Sequence, residues 1–157
     1  MADGEWSDDR RRIAYEEARA VVNAQNETMS DIDEKAMRSV RLTAVLIGLL
    51  IAALQVEPAA FHETVLSVAL GSLVLSAVAG IATYDESQLF VGTDGDFIDK
   101  LANGTELNHG WDRELAETFA GMLAENYTDI QRNAKYLRAT NALLIAGIVL
   151  AAAAVLI

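Results

Sequence analysis

Residues 64–84 read TVLSVALGSLVLSAVAGIATY, a run of 21 residues without a charge, closed by Glu63 on one side and Asp85-Glu86 on the other. A helix of about 20 apolar residues is what crosses the hydrocarbon of a bilayer, so this stretch alone predicts a transmembrane span. Two further runs flank it: residues 139–157 are uncharged for 19 positions and residues 42–56 for 15. The second of these is short of a span, and extending it back to Met37 repairs the length. Arg38 and Arg41 then stand near the helix end, where long basic side chains reach back to the head groups. Glu57-Pro58 stops this first span, and Phe61, His62 and Glu63 complete a short turn into the second. A soluble helical hairpin would need a core that covers three such runs, and no other part of the chain can supply one.

The remaining composition agrees. A hydrophobic content of 52% coexists with a formal charge of -11, so apolar and acidic residues must be segregated along the chain. Acidic residues outnumber basic ones 23 to 12, which disfavours nucleic acid as a partner. The absence of cysteine excludes disulfides, thiolate metal sites and cysteine nucleophiles. Abundant alanine, valine and aspartate, with lysine only at Lys35, Lys100 and Lys135, resembles the usage of salt-loving prokaryotes. The N-terminus places Asp3, Glu5, Asp8 and Asp9 ahead of Arg10-Arg11-Arg12, too acidic and too far from an apolar run for a signal peptide, so the first span is expected to be retained.

Basic residues favour the cytoplasmic flank of a span. Lys35, Arg38 and Arg41 precede the first span, Arg132, Lys135 and Arg138 precede the third, and the turn at residues 57–63 has neither lysine nor arginine. These six residues therefore predict a cytoplasmic N-terminus, and three spans then put Ile157 outside. Tyr84 and Tyr136 fall where interfacial aromatics are expected, whereas Trp111 lies too far upstream.

Outside the spans the chain reads as helix and loop. Ile13, Ala20 or Val21, Ala24, Thr28, Ile32, Ala36 and Val40 recur at three- and four-residue spacing across residues 10–40. Ser30 and Asp31, with Asp33 and Glu34 following, have the form of a capping box, so both a continuous helix and a fresh start there are compatible with the sequence. From Gly110 to Arg138 the period resumes, with Leu115, Phe119, Met122 or Leu123, Ile130 and Leu137 on one side. No breaker follows, so one helix is expected from Trp111 to Ile157, about 70 Å long. Its stripe is expected to pack on the arm at residues 10–40 as a cytoplasmic stalk. Residues 85–109 form a loop whose apolar groups, Leu89 to Val91 and Phe97, Ile98 and Leu101, predict a short amphipathic piece.

No motif declares a reaction. Asp94-Gly95-Asp96 with Asp99 has the flavour of a calcium loop, but the glycine is misplaced and no glutamate closes it. The predicted topology puts His62 and His109 on opposite sides of the membrane. Beyond Arg38 and Arg41 at the end of the first, the spans carry no charged residue, which disfavours a single-copy carrier. Ser72, Ser76 and Gly80, Ser67 with Gly71, and Gly147 with Ala151 follow small-xxx-small spacing and are candidate helix-packing residues, within the chain or between copies. Asp31 with Lys35 and Glu34 with Arg38 read as ordinary i,i+4 ion pairs. Asn26, Asn103 and Asn126 each begin a glycosylation pattern and, facing the cytoplasm, should stay bare.

Two stretches resemble small prokaryotic membrane effectors of the Pycsar transmembrane type and the related SLATT-like modules. One is Asp33-Glu34-Lys35-Ala36, leading into the first span and similar to the Asp-x-Lys-Ala approach of that group. The other is Tyr127 to Leu137, with Tyr127, Ile130, Asn133 and Leu137, running into the last span. The resemblance covers the chain from about residue 20 onward and implies a membrane effector of antiviral defence that oligomerises or rearranges on a nucleotide second messenger. The chain departs from that pattern in lacking a separate nucleotide-binding domain and a phosphate-cradling glycine loop.

The resulting expectation is an all-α integral membrane protein with three transmembrane helices and a cytoplasmic helical stalk. It comprises a cytoplasmic N-terminal arm at residues 1–36 and a transmembrane hairpin at 37–84, with spans at about 37–56 and 64–84. A cytoplasmic loop and stalk helix at 85–138 and a third transmembrane helix at 139–157 complete it. Its expected role is non-enzymatic and cofactor-free: an anchoring, scaffolding or oligomeric interaction subunit of the cell membrane. Its partners are lipid and a second copy or another membrane protein. The alternative role is the membrane-perturbing effector that the resemblance implies.

Overall fold

The computed structural model describes residues 2–85, 89–90, 92, 95–103 and 111–156. The elements among them are all helical: α1 (Ala2–Val56), a 3-10 turn (Pro58–Ala60), α2 (Glu63–Asp85), α3 (Gly95–Ala102) and α4 (Trp111–Leu156). Three of these helices are long and apolar enough to cross a membrane. The amphipathic piece expected in the loop is α3. Asp94, Val91 and His109 lie outside the described residues.

Helix α1 begins well before residue 10 and passes through Ser30-Asp31 without a break. The capping box read there is therefore not a helix start. Asp31 instead accepts from Lys35 at 3.2 Å, and Glu34 pairs with Arg38 one turn on. Continuation to Val56 follows from the absence of any earlier proline. Pro58 then ends the helix, because it has no N–H to donate and disfavours helical geometry at Glu57, whose φ is -141° and ψ 75°.

The chain divides into two compact units, one of Met1–Thr28 with Gln88–Ile130 and one of Met29–Ser87 with Gln131–Ile157. In the second, α2 runs antiparallel to both α1 and α4. Gly80 lies against Ala36, Val40 and Thr140; Gly147 lies against Ala69 and Leu73; and the His62 N–H donates to Ala154 O at 2.7 Å. In the first unit the rings of Tyr15 and Phe119 meet edge to face, 5.7 Å between centroids at 80°.

Most buried positions recur at seven-residue spacing. In the second unit they are Asn133, Thr140, Gly147 and Ala154 with Leu144 on α4, Met29, Ala36 and Thr43 with Ile32 on α1, and Leu66, Leu73 and Gly80 with Ala69, Ser76 and Thr83 on α2; in the first unit they are Val22, Phe119 and Asn126. A seven-residue repeat with intervening positions three or four residues on is the mark of left-handed coiled-coil packing. The stripe expected on the arm is corrected accordingly. Ile32 and Ala36 are buried, but Ile13 is 52% exposed and Val21 43%, and Ala24 and Thr28 face outward too. A stripe drawn at helical period drifts roughly 20° from a heptad seam with every seven residues, so one anchored at Ala36 has left the seam by Ile13.

Candidate functional site

Six buried positions are polar where a soluble coiled coil would carry leucine. Thr43, Ser76, Thr83, Asn126, Asn133 and Thr140 are all completely buried. Each is a neutral hydroxyl or amide, and each can stay buried only by finding a hydrogen-bond partner. Ser76 Oγ donates to Thr140 O and Ser72 Oγ to Leu143 O, both at 2.8 Å and both across the α2–α4 interface. Thr43, Thr83 and Thr140 donate one turn back along their own helices, to Ser39 O, Ala79 O and Tyr136 O. Each of the four hydroxyls in this group thus donates to a backbone carbonyl.

Ser39 and Asn141 join α1 to α4 nearer the charged end, with Ser39 Oγ donating to Asn141 Oδ1 at 2.9 Å. Asn133 Nδ2 donates to Met29 Sδ at 3.3 Å. Together these two contacts set the parallel register of α1 and α4, in which Ser39 stands level with Asn141 and Met29 with Asn133.

In the first unit, Asn126 binds a backbone rather than a side chain. Its Oδ1 accepts from the Phe90 N–H at 2.9 Å and its Nδ2 donates to Phe90 O at 3.0 Å. A primary amide thus imitates a strand neighbour and fixes Phe90 to α4. Gln25 Nε2 donates to Leu123 O at 3.1 Å, while its buried Oε1 has no partner. Arg19 rests over the Tyr15 ring, 5.6 Å from its centroid.

The small-xxx-small residues separate into two groups. Ser72, Ser76, Gly80 and Gly147 lie at helix contacts, and Ala151 is half-buried. Gly71 has nothing within 4 Å, and Ser67 turns its hydroxyl back to Glu63 O, so that pair lies on the outer surface of the chain. The six basic residues from which the sequence predicts orientation, Lys35, Arg38, Arg41, Arg132, Lys135 and Arg138, are all exposed. Of the residues carrying the family resemblance, Ala36 and Asn133 are fully buried in the seam, Asp33 is half-buried, and Tyr127 is 59% exposed. Tyr84 and Tyr136 are exposed at 58% and 38%. No group of three metal-binding side chains is present among the described residues.

Asn126 and Thr140 were missed as seam residues by a search for apolar periodicity. The signal that finds them is the spacing of small and amide side chains: Asn126, Asn133, Thr140, Gly147 and Ala154, seven apart without exception. The full burial of Asn126 also alters what its glycosylation pattern can report, because a glycan there is incompatible with the contact to Phe90. Asn26 and Asn103 remain usable as topology reporters. Comparison of the chain with protein-family models, with curated proteins and with solved structures found no match in any of the three.

Proposed function

We propose that this chain is a three-span membrane subunit, N-terminus cytoplasmic and C-terminus outside, whose cytoplasmic helices anchor or scaffold partner proteins. One observation carries the membrane part. In the most apolar windows of the three long helices, only 6%, 28% and 22% of residues are buried. Leu49, Ile145, Val149, Val45, Leu75 and Val78 are each more than half exposed. Water is a poor solvent for that much contiguous apolar surface, and lipid is a good one. The interaction role is supported by the neutral character of the seam, which offers hydrogen bonds for holding helices together and no titratable group among the described residues.

Because the chain has no native cysteine, a single introduced one reports unambiguously. His62→Cys, on the turn, is expected to react with a membrane-impermeant maleimide in intact cells, and Asn103→Cys only after lysis. The reverse pattern would overturn the orientation. Mass measurement in nanodiscs tests the interaction role: a subunit forms a defined oligomer or complex, and a chain that remains a lone monomer under every condition is not one.

The effector reading has one feature in its favour. Asn126, Asn133 and Thr140 occupy seam positions where leucine would bind more tightly in water, so separating the helices costs less than in an apolar coil. Regulated expression with a membrane-potential dye tests it, and unchanged potential with every candidate nucleotide rules it out.

A further inference from the structure

We infer that the outer face of α1 around Arg38 and Arg41 binds an anionic phospholipid of the inner leaflet, its phosphate between the two guanidiniums and an acyl chain along Val45, Gly48 and Ala52. The inference rests on the membrane reading above and goes beyond it by assigning a ligand class to a site.

The depth of Arg41 comes from the helix register. Ser39 stands level with Asn141, so Arg138, the last charge before the third apolar run, is level with residue 36 of α1. Arg41 lies five residues farther along, ~8 Å deeper at the usual rise per residue. On α2 the first charge, Asp85, comes five residues beyond Gly80, which packs against Ala36 and Val40, so it also lies nearer the cytoplasm than Arg41. Arg41 is therefore the one charge among these three helix ends that reaches into the layer the others leave apolar. Its Cα–Cβ bond tilts toward the helix N-terminus, which aims the side chain back at the inner head groups.

The direction of Arg41 comes from the seam. Ala36 and Thr43 are fully buried on the bundle side. Glu34, Arg38, Arg41, Val45, Gly48 and Ala52 recur at three and four residues on the opposite side, and all are exposed. Among the described residues no other helix covers this face. Val45 is 58% exposed, and a Cβ added at Gly48 would meet nothing within 4 Å, so a shallow apolar track continues below the two arginines.

The charge comes from counting partners. Arg38 pairs with Glu34, and Arg41 has no ion pair among the described residues. Two guanidiniums one turn apart on one face repel each other. The trio of Glu34, Arg38 and Arg41 carries one net positive charge, which a single phosphodiester balances. A lipid whose head group brings its own ammonium neutralises that phosphate beforehand, so a net-anionic lipid is preferred.

The test is native mass spectrometry of the purified full chain in dodecyl maltoside. The probes are dioleoyl phosphatidylglycerol, dioleoyl phosphatidylcholine and, as a head group without tails, glycerol 1-phosphate. Phosphatidylglycerol is expected to be retained over phosphatidylcholine. Arg41→Gln should lower its affinity about fivefold, the weight of one basic residue at an anionic surface, while Arg41→Lys keeps most of the preference. Gly48→Leu leaves both charges in place and should also weaken phosphatidylglycerol by filling the track. Equal lipid preference in Arg41→Gln and the parent overturns the site. So does glycerol 1-phosphate binding as tightly as the lipid, which would mean a free anion site, or loss of a dimer rather than of a lipid adduct, which would mean that a second copy occupies the face. His62→Cys labelling in the Arg41 variants confirms that orientation is kept. Recovery of the parent chain from water without detergent would sink the membrane reading, whereas a detergent-requiring chain with no lipid preference sinks this site alone.

Discussion

Alanine at position 147 should destabilise the three-helix unit, and alanine at position 71 should not. Gly147 is buried in the seam, and a Cβ placed on it would sit 2.7 Å from both Cγ and Cδ2 of Leu73 and 3.3 Å from Ala69 O. Leu73 is fully buried, so its branch has no free space to retreat into. Overpacking of this kind costs about 1–3 kcal/mol. Removing a helix-interior glycine returns about 1 kcal/mol, but that gain is common to Gly71→Ala, where a Cβ meets nothing within 4 Å. Comparing the two variants cancels the backbone contribution and leaves the packing cost alone. The assay is the thermal midpoint of the folded peak on size-exclusion chromatography in dodecyl maltoside. For a chain of this size each kcal/mol shifts the midpoint by about 2–4 °C, so Gly147→Ala should melt several degrees below Gly71→Ala. Equal midpoints would refute both the position of Gly147 in the seam and the α2–α4 register. Gly80→Ala should fall between them, since the nearest obstacle, a methyl of half-buried Val40, can turn aside more readily than Leu73.

Three further outcomes are expected. Asn126→Ala removes both hydrogen bonds to Phe90 and leaves its backbone groups to seek water, so amide exchange at Phe90 should rise by about fivefold to a hundredfold, an effect of about 1–3 kcal/mol; unchanged exchange would mean that the contact holds nothing. Ser76→Ala should cost only about 0.6 kcal/mol, the average for interhelical hydrogen bonds in membranes, and a loss above ~2 kcal/mol would show that the Ser76–Thr140 contact has been undervalued. Neutralising Lys35, Arg38 and Arg41 together to Gln should scramble orientation, read by labelling of His62→Cys, while circular dichroism shows helix content nearly unchanged; uniform orientation would place the determinant elsewhere.

The helices themselves were legible because their signals are one-dimensional. The uncharged runs at residues 64–84 and 139–157, the stop at Pro58 and the unbroken approach to the third apolar run each follow from length, charge and proline alone. The i,i+4 pairs of Asp31 with Lys35 and Glu34 with Arg38 were legible for the same reason. Which face of a helix is buried was harder to read. On the arm, alanine, valine and isoleucine occur on several faces, so an apolar stripe could be drawn through Ile13 and Val21 as well as through Val22 and Met29, and only the second is buried. The anchoring of Phe90 by Asn126 had no local signal, since 36 residues separate the partners.

If lipid is the solvent, as proposed, the chemistry of the seam follows from it. Along α4 the buried positions at seven-residue spacing are Phe119, Asn126, Asn133, Thr140, Gly147 and Ala154, with Leu144 buried beside them. In water, a large apolar residue at such a position drives association, and Phe119 meeting Tyr15 is of that kind. Under the proposed membrane reading, the last of these positions lie among lipid tails as apolar as leucine, and burying leucine there gains nothing over leaving it in lipid. Two means of attraction remain: close backbone approach, which Gly80 and Gly147 permit, and interhelical hydrogen bonds, which Ser72 and Ser76 supply by donating to carbonyls of α4. A carbonyl already bonded within its helix keeps a second lone pair for such a donor, so these bonds form without unwinding the helix that accepts them. The small and hydroxylated residues are therefore expected in the core of a helix bundle dissolved in lipid, and beside buried Leu66, Leu73 and Leu144 they supply the positions that a search for leucine stripes passes over.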